Sequence, residues 1–162
     1  MPQNLKPLAV FDLDGTLADT GHRQHFLERN PSDWDAFFAA APDDPPLTEG
    51  VALVLRTAAT CEVLYLTGRP ERCRQDTVGW IAAQGLPAGR LLMRRNDDRR
   101  PARRTKLAVL RKLSATRRIR MLVDDDLLVC ADARRAGVRV VHADWVAPSA
   151  TLTDAQGRAG RT

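Results

Sequence analysis

Short apolar runs alternate along the chain with longer segments in which apolar residues recur every three or four positions. The short runs have the length of buried strands, and the longer segments have the period of an amphipathic helix. This alternation predicts a parallel sheet covered by helices on both faces, a three-layer α/β fold. The predicted strands are residues 8–12, 62–67, 90–93, 119–124 and 138–142. The predicted helices are residues 49–59, 71–84, 103–115 and 127–136, with a short helix at 32–41.

Two carboxylates stand where the first predicted strand ends, in the segment VFDLDGTL at residues 10–17. Side chains two positions apart share one face of a strand. Because Gly15 interrupts the strand, we expect Asp12 to face a substrate and Asp14 to lie in the following loop. One group can then act as a nucleophile while the other moves protons. The segment alone fits two interpretations, a catalytic loop and a polar turn, since Asp-Gly pairs are common in turns.

A divalent cation is expected beside these carboxylates. Two negative groups held close together repel each other, and an oxygen-lined site favours Mg²⁺, which also offsets the charge of an incoming phosphate. Asp12 can then form an aspartyl-phosphate. Asp14 can protonate the leaving oxygen and later activate water. The pattern therefore predicts phosphoryl-transfer chemistry.

Three further motifs follow in chain order. Strand 62–67 runs into Thr67-Gly68-Arg69, Lys106 opens an apolar-periodic helix, and strand 119–124 runs into Asp124-Asp125-Asp126. Together with Asp-x-Asp-Gly-Thr, this order resembles the four motifs of the haloacid dehalogenase (HAD) superfamily, over residues 8–145. The resemblance implies a Rossmann-like sheet in which the strand ends bring the motifs together.

The same resemblance implies a role for each motif residue. Asp12 is the expected nucleophile and Asp14 the expected acid and base. Thr67 would hydrogen-bond the transferring phosphoryl group, and Lys106 would offset the negative charge around it. The implied Mg²⁺ ligands are Asp12, the backbone carbonyl of Asp14, Asp124 and Asp125.

Within the superfamily, the chain is most similar to the 3′-phosphatase domain of phage-type polynucleotide kinase/phosphatase. That domain has an arginine after its first motif, a Ser/Thr-Gly-Arg second motif, and a Met/Arg…Asp-x-Arg stretch before its lysine. Arg69 is expected to clamp a phosphate because Pro70 fixes the turn, and the alternative is a salt bridge to Asp14 or Asp19. The substrate-binding positions implied by this similarity are Arg23, Gly68, Arg69, Arg94 and Arg100.

The chain departs from that domain in two ways. Where the domain has an aspartate four residues before the lysine, this chain has Ala102, and Asp98 and Asp126 are the candidates to replace the carboxylate. No Gly-x-x-x-x-Gly-Lys-Ser/Thr segment occurs either. We therefore expect a phosphatase domain with no kinase domain in the chain, whose partners, if any, are separate proteins.

Charge is unevenly distributed along the chain. The net charge is +5, and residues 94–120 contain twelve Arg or Lys residues opposed only by Asp97 and Asp98. A basic face attracts polyanions, so nucleic-acid ends are expected substrates. The alternative is a set of ordinary solvated side chains in an arginine-rich protein.

Length and composition predict one globular domain. With 162 residues and 44% hydrophobic content, the chain can bury a single core. We expect a phosphatase domain at residues 1–147, with an insertion at 19–46 too short for a large mobile cap, and a mobile tail at 148–162. Three cysteines in unrelated spacings suggest neither disulfides nor zinc. Because no apolar run reaches the length of a membrane span and the N-terminus does not resemble a signal peptide, a cytoplasmic location is expected.

Three functions are consistent with these patterns. The first is a Mg²⁺-dependent phosphomonoesterase that removes 3′-phosphates from polynucleotide ends or nucleotides. The second is a phosphatase of a small soluble phosphate ester, because the fold hosts many substrates. The third is a non-enzymatic nucleic-acid-binding module, which is disfavoured because every core motif position keeps its chemical group.

Overall fold

The computed structural model describes residues 5–159. Its strands are β1 (Leu8–Phe11), β2 (Glu62–Pro70), β3 (Arg90–Arg94), β4 (Ile119–Asp124) and β5 (Val140–His142). They form one sheet in the order β3-β2-β1-β4-β5, and every neighbouring pair is parallel. The α-helices are α1 (Trp34–Ala39), α2 (Thr48–Thr57), α3 (Arg74–Ala83), α4 (Ala102–Ser114), α5 (Leu127–Arg135) and α6 (Ala150–Asp154). The predicted Rossmann-like three-layer architecture is confirmed.

Successive side chains of β1 point to opposite faces of the sheet, and each face carries its own apolar layer. Ala9 and Phe11 join a cluster that includes Val54 of α2 and Trp80 of α3. Residues on the opposite face, with Leu8 and Val10 among them, pack with side chains of α4 and α5. Burying one such large apolar side chain contributes about 1.5–3 kcal/mol, so β1 is firmly held at the centre. Among residues 5–159, no helix combines the length and apolarity that crossing a bilayer requires.

The register of the central strands aligns the predicted motifs. Phe11 pairs with Tyr65 of β2 and with Val123 of β4. The residues that follow each of these, Asp12, Leu66-Thr67 and Asp124, therefore emerge at the same edge of the sheet. This edge, where the strands end, is where open α/β sheets bind ligands.

The second strand is longer than predicted. The sequence predicts that it ends at Thr67, but β2 continues to Pro70, which pairs with Arg94 of β3. Gly and Pro usually end strands, yet Pro70 is the last residue of β2 and its missing N–H interrupts no ladder beyond it. The Thr-Gly-Arg motif is therefore held in strand conformation.

The insertion after the first motif is small, as expected. It contains a 3₁₀ helix at Gly21–Phe26, helix α1, and a second 3₁₀ helix at Ala41–Asp43. Helix α1 is shorter than the predicted 32–41 because Asp33 caps it, accepting from Ala36 N at 3.0 Å, and because Pro42 disfavours helical conformation just before it. Phe37 and Phe38 are buried here, as packing residues.

The C-terminal segment differs from the prediction. The sequence predicts a mobile tail at 148–162, but the structure places α6 at Ala150–Asp154 and a π-helical turn at Ala155–Ala159. Residues 160–162 of the predicted tail lie outside the described residues. Ser149 caps α6 by accepting from Leu152 N at 3.2 Å, and Leu152 and Ala155 are buried. A helix with so few apolar anchors is too short to produce a recognisable period, which is why the sequence does not predict it.

Candidate active site

Asp12 and Asp14 lie on a tight loop directly after β1, and both are buried. Asp12 N still donates to Val123 O at 2.9 Å, so the sheet fixes its backbone. Two loop amides, those of Leu17 and Ala18, turn back to Leu13 O at 2.8 and 2.9 Å. Thr16 Oγ1 donates to Asp12 Oδ2 at 3.2 Å. The loop is thus a rigid support for two carboxylates rather than a solvated polar turn.

Three carboxylates from two strand ends converge beside this loop. Oxygens of Asp12, Asp124 and Asp125 all lie within 4.8 Å of one another. Lys106, buried on α4, reaches into the cluster, with Nζ 2.9 Å from Asp12 Oδ1 and 2.7 Å from Asp124 Oδ2. One lysine therefore faces three acidic groups, and the cluster retains an excess of negative charge.

That excess is reflected in the pKa values of the cluster. Burial and the charge of Asp12 raise the pKa of Asp124 to about 7, and burial together with Asp12 and Asp124 raises the pKa of Asp125. Burial would lower the pKa of Lys106, but Asp12 and Asp124 outweigh it and raise the pKa. Carboxylates crowded in this way are stabilised by a divalent cation. Among the described residues, Asp14 Oδ2 is a buried side-chain oxygen that accepts no hydrogen bond, and Asp12 Oδ1 has only its ion pair with Lys106. The donor set therefore fits Mg²⁺.

Four buried charged groups form a second network on the other side of the loop. Arg23 donates to Asp14 Oδ1 at 2.8 Å and to both oxygens of Asp44 at 2.7 Å. Arg69 donates to Asp14 Oδ1 through Nε at 3.0 Å and to Asp44 Oδ2 at 3.0 Å. His22 Nε2 lies 2.7 Å from Asp44 Oδ1. We call Asp14, Arg23, Asp44 and Arg69 the arginine–aspartate network; its formal charges cancel.

The arginine–aspartate network sets the protonation state of Asp14. Burial would raise the pKa of Asp14, but the guanidinium groups of Arg69 and Arg23 outweigh it and hold the pKa at about 2. Asp14 is therefore ionised at neutral pH, with Oδ1 held by two arginines and Oδ2 without a hydrogen bond. The two arginines stabilise this charged form, so Asp14 is a weak base in the absence of substrate.

Sequence comparison places this geometry in a known family. A family model described as the polynucleotide kinase PNKP phosphatase domain matches residues 7–145. The chain belongs to this family. It is accordingly a phosphatase domain of the HAD type, as the motifs predicted. No curated protein sequence matches the chain.

Solved structures show the same fold. A protein of the Pnkp1/Rnl/Hen1 complex shares 23% identity at a TM-score of 0.69, over 86% of this chain and 46% of that one. A protein of the Pnkp1/Rnl/Hen1 RNA repair complex shares 21% at 0.63, over 85% and 42%. The chain thus spans under half the length of these relatives. A HAD family enzyme from Bacteroides thetaiotaomicron, solved with magnesium and inorganic phosphate, shares 12% at 0.51, over 92% and 99%.

Two arginines assigned to substrate by similarity to the PNKP phosphatase family have other partners. The sequence predicts that Arg69 clamps a phosphate, but its guanidinium binds Asp14 and Asp44, so the salt-bridge alternative describes the structure. Arg23 is likewise fully buried against the same two carboxylates. Each arginine holds Asp14 in place.

The remaining substrate-binding predictions fall on the loop after β3. Arg94 is buried and donates to Gly68 O at 2.8 Å and to the carbonyl of Asp98, so it ties the second motif to this loop. Arg100 is exposed and pairs with Asp98 at 2.7 Å. Arg94 therefore supports the loop rather than presenting its charge, and Arg100 remains at the surface.

The carboxylate absent at Ala102 has no replacement among the two candidates. Asp98 is bound to Arg100, and Asp126 caps α5 by accepting from Leu128 N at 2.8 Å. Ala102 itself, the first residue of α4, is buried in the apolar layer. The PNKP phosphatase pattern is therefore altered at this position.

Sequence reasoning missed Asp44, which completes the arginine–aspartate network. Asp44 lies in an Asp-Asp-Pro-Pro segment, and nothing in that segment separates it from its exposed neighbour Asp43. The one signal that could have found it is indirect: two arginines buried around one aspartate require a second counter-charge.

Two features of the structure require glycine at position 15, the backbone conformation and the nearby Asp125 side chain. Gly15 has φ of +79°, and a Cβ there would lie 2.3 Å from Asp125 Oδ2. We expect Gly15→Ala to cost about 1–2 kcal/mol of stability from backbone strain. Because Asp125 must also move, phosphatase activity should fall about 100-fold.

Gly137→Ala is the matched control. Gly137 also has positive φ, +84°, but among the described residues nothing lies within 4 Å of the point that a Cβ would occupy there. The variant should lose similar stability, measured by thermal unfolding, and keep its activity. Equal activity losses in the two variants would mean that strain, and not the position of Asp125, limits turnover.

Proposed function

We propose that the protein is a Mg²⁺-dependent phosphomonoesterase that works through an aspartyl-phosphate on Asp12 and removes 3′-phosphates from polynucleotide ends or nucleotides. The observation that carries the chemistry is the cluster of Asp12, Asp124 and Asp125, with Lys106 bridging two of them. A structural ion pair needs one acid for one base, whereas here three buried or half-buried acids face a single lysine. Such an excess is the arrangement expected where a cation and a phosphate complete the charge balance.

Asp12, Asp124, Asp125 and the backbone carbonyl of Asp14 would hold the Mg²⁺ ion. When bound, it would neutralise negative charge on the phosphate and on the nucleophile. The remaining steps belong to the protein's own groups. Asp12 attacks phosphorus. Lys106 on α4 and Thr67 on β2 bind the phosphoryl oxygens. The bond from phosphorus to the leaving oxygen breaks as the bond to Asp12 forms.

Asp14 handles the protons in this scheme. Its ionised state suits the second half of the reaction, in which Asp14 accepts a proton from the water that hydrolyses the aspartyl-phosphate. To protonate a leaving alcohol first, Asp14 must gain a proton in the substrate complex. A bound phosphate dianion would act in the required direction, because a nearby like charge raises the pKa of a carboxylic acid.

The 3′-end substrate is supported by three observations. The chain belongs to the PNKP phosphatase family, and two relatives of the same fold come from Pnkp1/Rnl/Hen1 complexes, one of them described as an RNA repair complex. A cavity of about 680 Å³ adjoins Asp125 and Gly15, which is within the usual range of small-molecule sites and leaves space for a nucleoside. Most arginines between residues 95 and 120 are exposed and could attract a polyanion.

One observation favours the second candidate, a small soluble ester. Arg94 and Arg100, the two arginines expected to bind the polymer next to the site, are already bound to Gly68 and Asp98. Within the described part of the chain, the cavity beside Asp125 is lined by acidic, neutral polar and apolar residues, with Asp19 and Asp144 among the acids, and by no lysine or arginine. A neutral alcohol fits this lining better than a second phosphate does.

The test is release of inorganic phosphate with Mg²⁺ from two oligonucleotides of one sequence, phosphorylated at either the 3′ or the 5′ end. A generic aryl phosphate is measured beside them. We expect release from the 3′ end to exceed release from the 5′ end by at least about tenfold in kcat/KM, which is about 1.4 kcal/mol of transition-state discrimination. Hydrolysis of the aryl ester alone would retain the chemistry and replace the 3′-end substrate by the small ester.

A further inference from the structure

The C-terminal segment reaches back to the acidic cluster. Gln156, on the π-helical turn after α6, is buried, with 5% of its surface exposed. Its Nε2 lies 3.4 Å from Asp125 Oδ1 and 3.3 Å from Asp125 Oδ2. An ionised carboxylate can only accept hydrogen bonds, so the amide nitrogen is the end of Gln156 that must face it. The contact joins residues 31 positions apart in the sequence.

Packing around the segment fixes Gln156 in this position. Leu152 and Ala155 are buried, as Gln156 is. Ser149 Oγ donates to Gln24 Oε1 at 2.6 Å, which ties the start of α6 to the insertion. Thr151 Oγ1 donates to Glu28 Oε1 at 3.1 Å. The turn is therefore anchored at more than one point before it reaches Asp125.

Asp125 is confined from several directions. Gly15 lies so close that any Cβ at that position would meet the Asp125 carboxylate. The backbone carbonyl of Asp125 is 3.0 Å from His142 Nε2, and its carboxylate lies among Asp12 and Asp124. Repulsion from those two acids pushes the Asp125 side chain away from the cluster, and a donor is needed to hold it in place.

A glutamine meets this need without competing with a cation. A carboxylate has about four lone-pair sites, so it can accept from Gln156 and still coordinate a metal. A lysine or arginine at the same place would orient Asp125 equally well but would neutralise it, and would weaken metal binding by repulsion. Hydrogen bonds from neighbouring groups commonly orient metal-ligating carboxylates in this way.

We propose that Gln156 is a positioning residue, which orients the Asp125 carboxylate for Mg²⁺ and makes the C-terminal helical segment a functional part of the site. The proposal rests on the proposed Mg²⁺ site. Its amide nitrogen binds the Asp125 carboxylate, so we expect its main effect on metal affinity. Gln156 also lines the cavity beside Asp125, so this expectation is stated for the small aryl phosphate. At saturating Mg²⁺ the kcat of a Gln156 variant for this ester should equal that of the wild-type protein.

Gln156→Ala and Gln156→Asn test this inference; the asparagine keeps the amide but is one methylene shorter. Two Mg²⁺ titrations are measured for each, one of phosphatase activity and one of the thermal unfolding temperature without substrate. We expect the Mg²⁺ concentration at half effect to rise about tenfold in both titrations and in both variants. Asp154→Ala, which removes an exposed pair with Arg158 on the same segment, should leave both midpoints unchanged.

The outcomes separate this inference from the proposed function. If Mg²⁺ shifts the unfolding temperature of the wild-type protein and of Gln156→Ala at the same concentration, Gln156 has no role in metal binding and the inference is wrong. A lower midpoint in the variant would also overturn it, because the amide would then be obstructing the site. A wild-type protein that is insensitive to Mg²⁺ in both titrations would instead refute the metal site itself.

Discussion

We expect Asp12→Asn to reduce phosphate release by about 10⁴-fold or more and to leave the domain folded, because Asp12 is the proposed nucleophile. Asparagine has nearly the same shape as aspartate but cannot attack phosphorus as a carboxylate can. The loss should appear in kcat with every substrate, including the aryl ester, because the nucleophile serves all of them. It is the largest effect expected of any single substitution in the protein.

Folding should survive this change because two electrostatic effects oppose each other. Asp12→Asn removes the ion pair with Lys106 at 2.9 Å, but it also removes one of three crowded negative charges. We expect the unfolding temperature without Mg²⁺ to equal that of the wild-type protein or to exceed it. Circular dichroism and thermal unfolding measure this directly.

A matched control and a trapping experiment make the result decisive. Asp76→Asn makes the same chemical change at an exposed position on α3 and should retain full activity. Acid quenching of the wild-type reaction should trap a phosphorylated peptide that contains Asp12. Retained turnover in Asp12→Asn, or phosphate trapped on another residue, would remove Asp12 from the role of nucleophile.

Asp44→Asn destabilises the protein by about 3–5 kcal/mol, a reduction of the unfolding temperature on the order of 10 °C. The substitution keeps the size of the side chain and removes one charge from the arginine–aspartate network. Arg23 and Arg69, both fully buried, would then share the single charge of Asp14. An uncompensated buried charge is costly because the protein interior solvates it poorly.

The neighbouring residue provides the control for this prediction. Asp43→Asn makes the identical change at an exposed position one residue earlier, and its unfolding temperature should match the wild-type value. Activity should fall in Asp44→Asn and not in Asp43→Asn, since Asp14 depends on the arginines that Asp44 holds. If both variants unfold at the wild-type temperature, the network contributes no stability.

The parts of the molecule that the sequence predicts well are those whose signals are local. Each strand that carries a motif is a short apolar run, and its polar side chains follow directly, as Asp12 follows Phe11. A parallel sheet then brings the ends of its central strands together, so the proximity of Asp12 and Asp124 follows from strand order alone. The HAD fold and the PNKP phosphatase family were predictable for this reason.

The parts that were missed depend on partners distant in the sequence. An arginine such as Arg69 can bind a phosphate or a carboxylate equally well, and the choice depends on Asp44, 25 positions away. Gln156 has an ordinary uncharged side chain, and its contact with Asp125 depends entirely on where the segment after α6 places it. The type of a residue indicates which groups its side chain can bind. Only the fold shows which of those groups lie close enough to bind it.

The arginine–aspartate network also has a consequence for how the protein acquires activity during folding. Its ion pairs close chain separations of 9 residues between Asp14 and Arg23, 25 between Asp44 and Arg69, and 55 between Asp14 and Arg69. Each closure costs chain entropy, and a charged group that leaves water without its counter-charge costs free energy. We therefore expect the ordering of Asp14 to follow the pairing of β1 with β2. We also expect recovery of phosphatase activity on refolding to report completion of the native structure rather than collapse of the sheet.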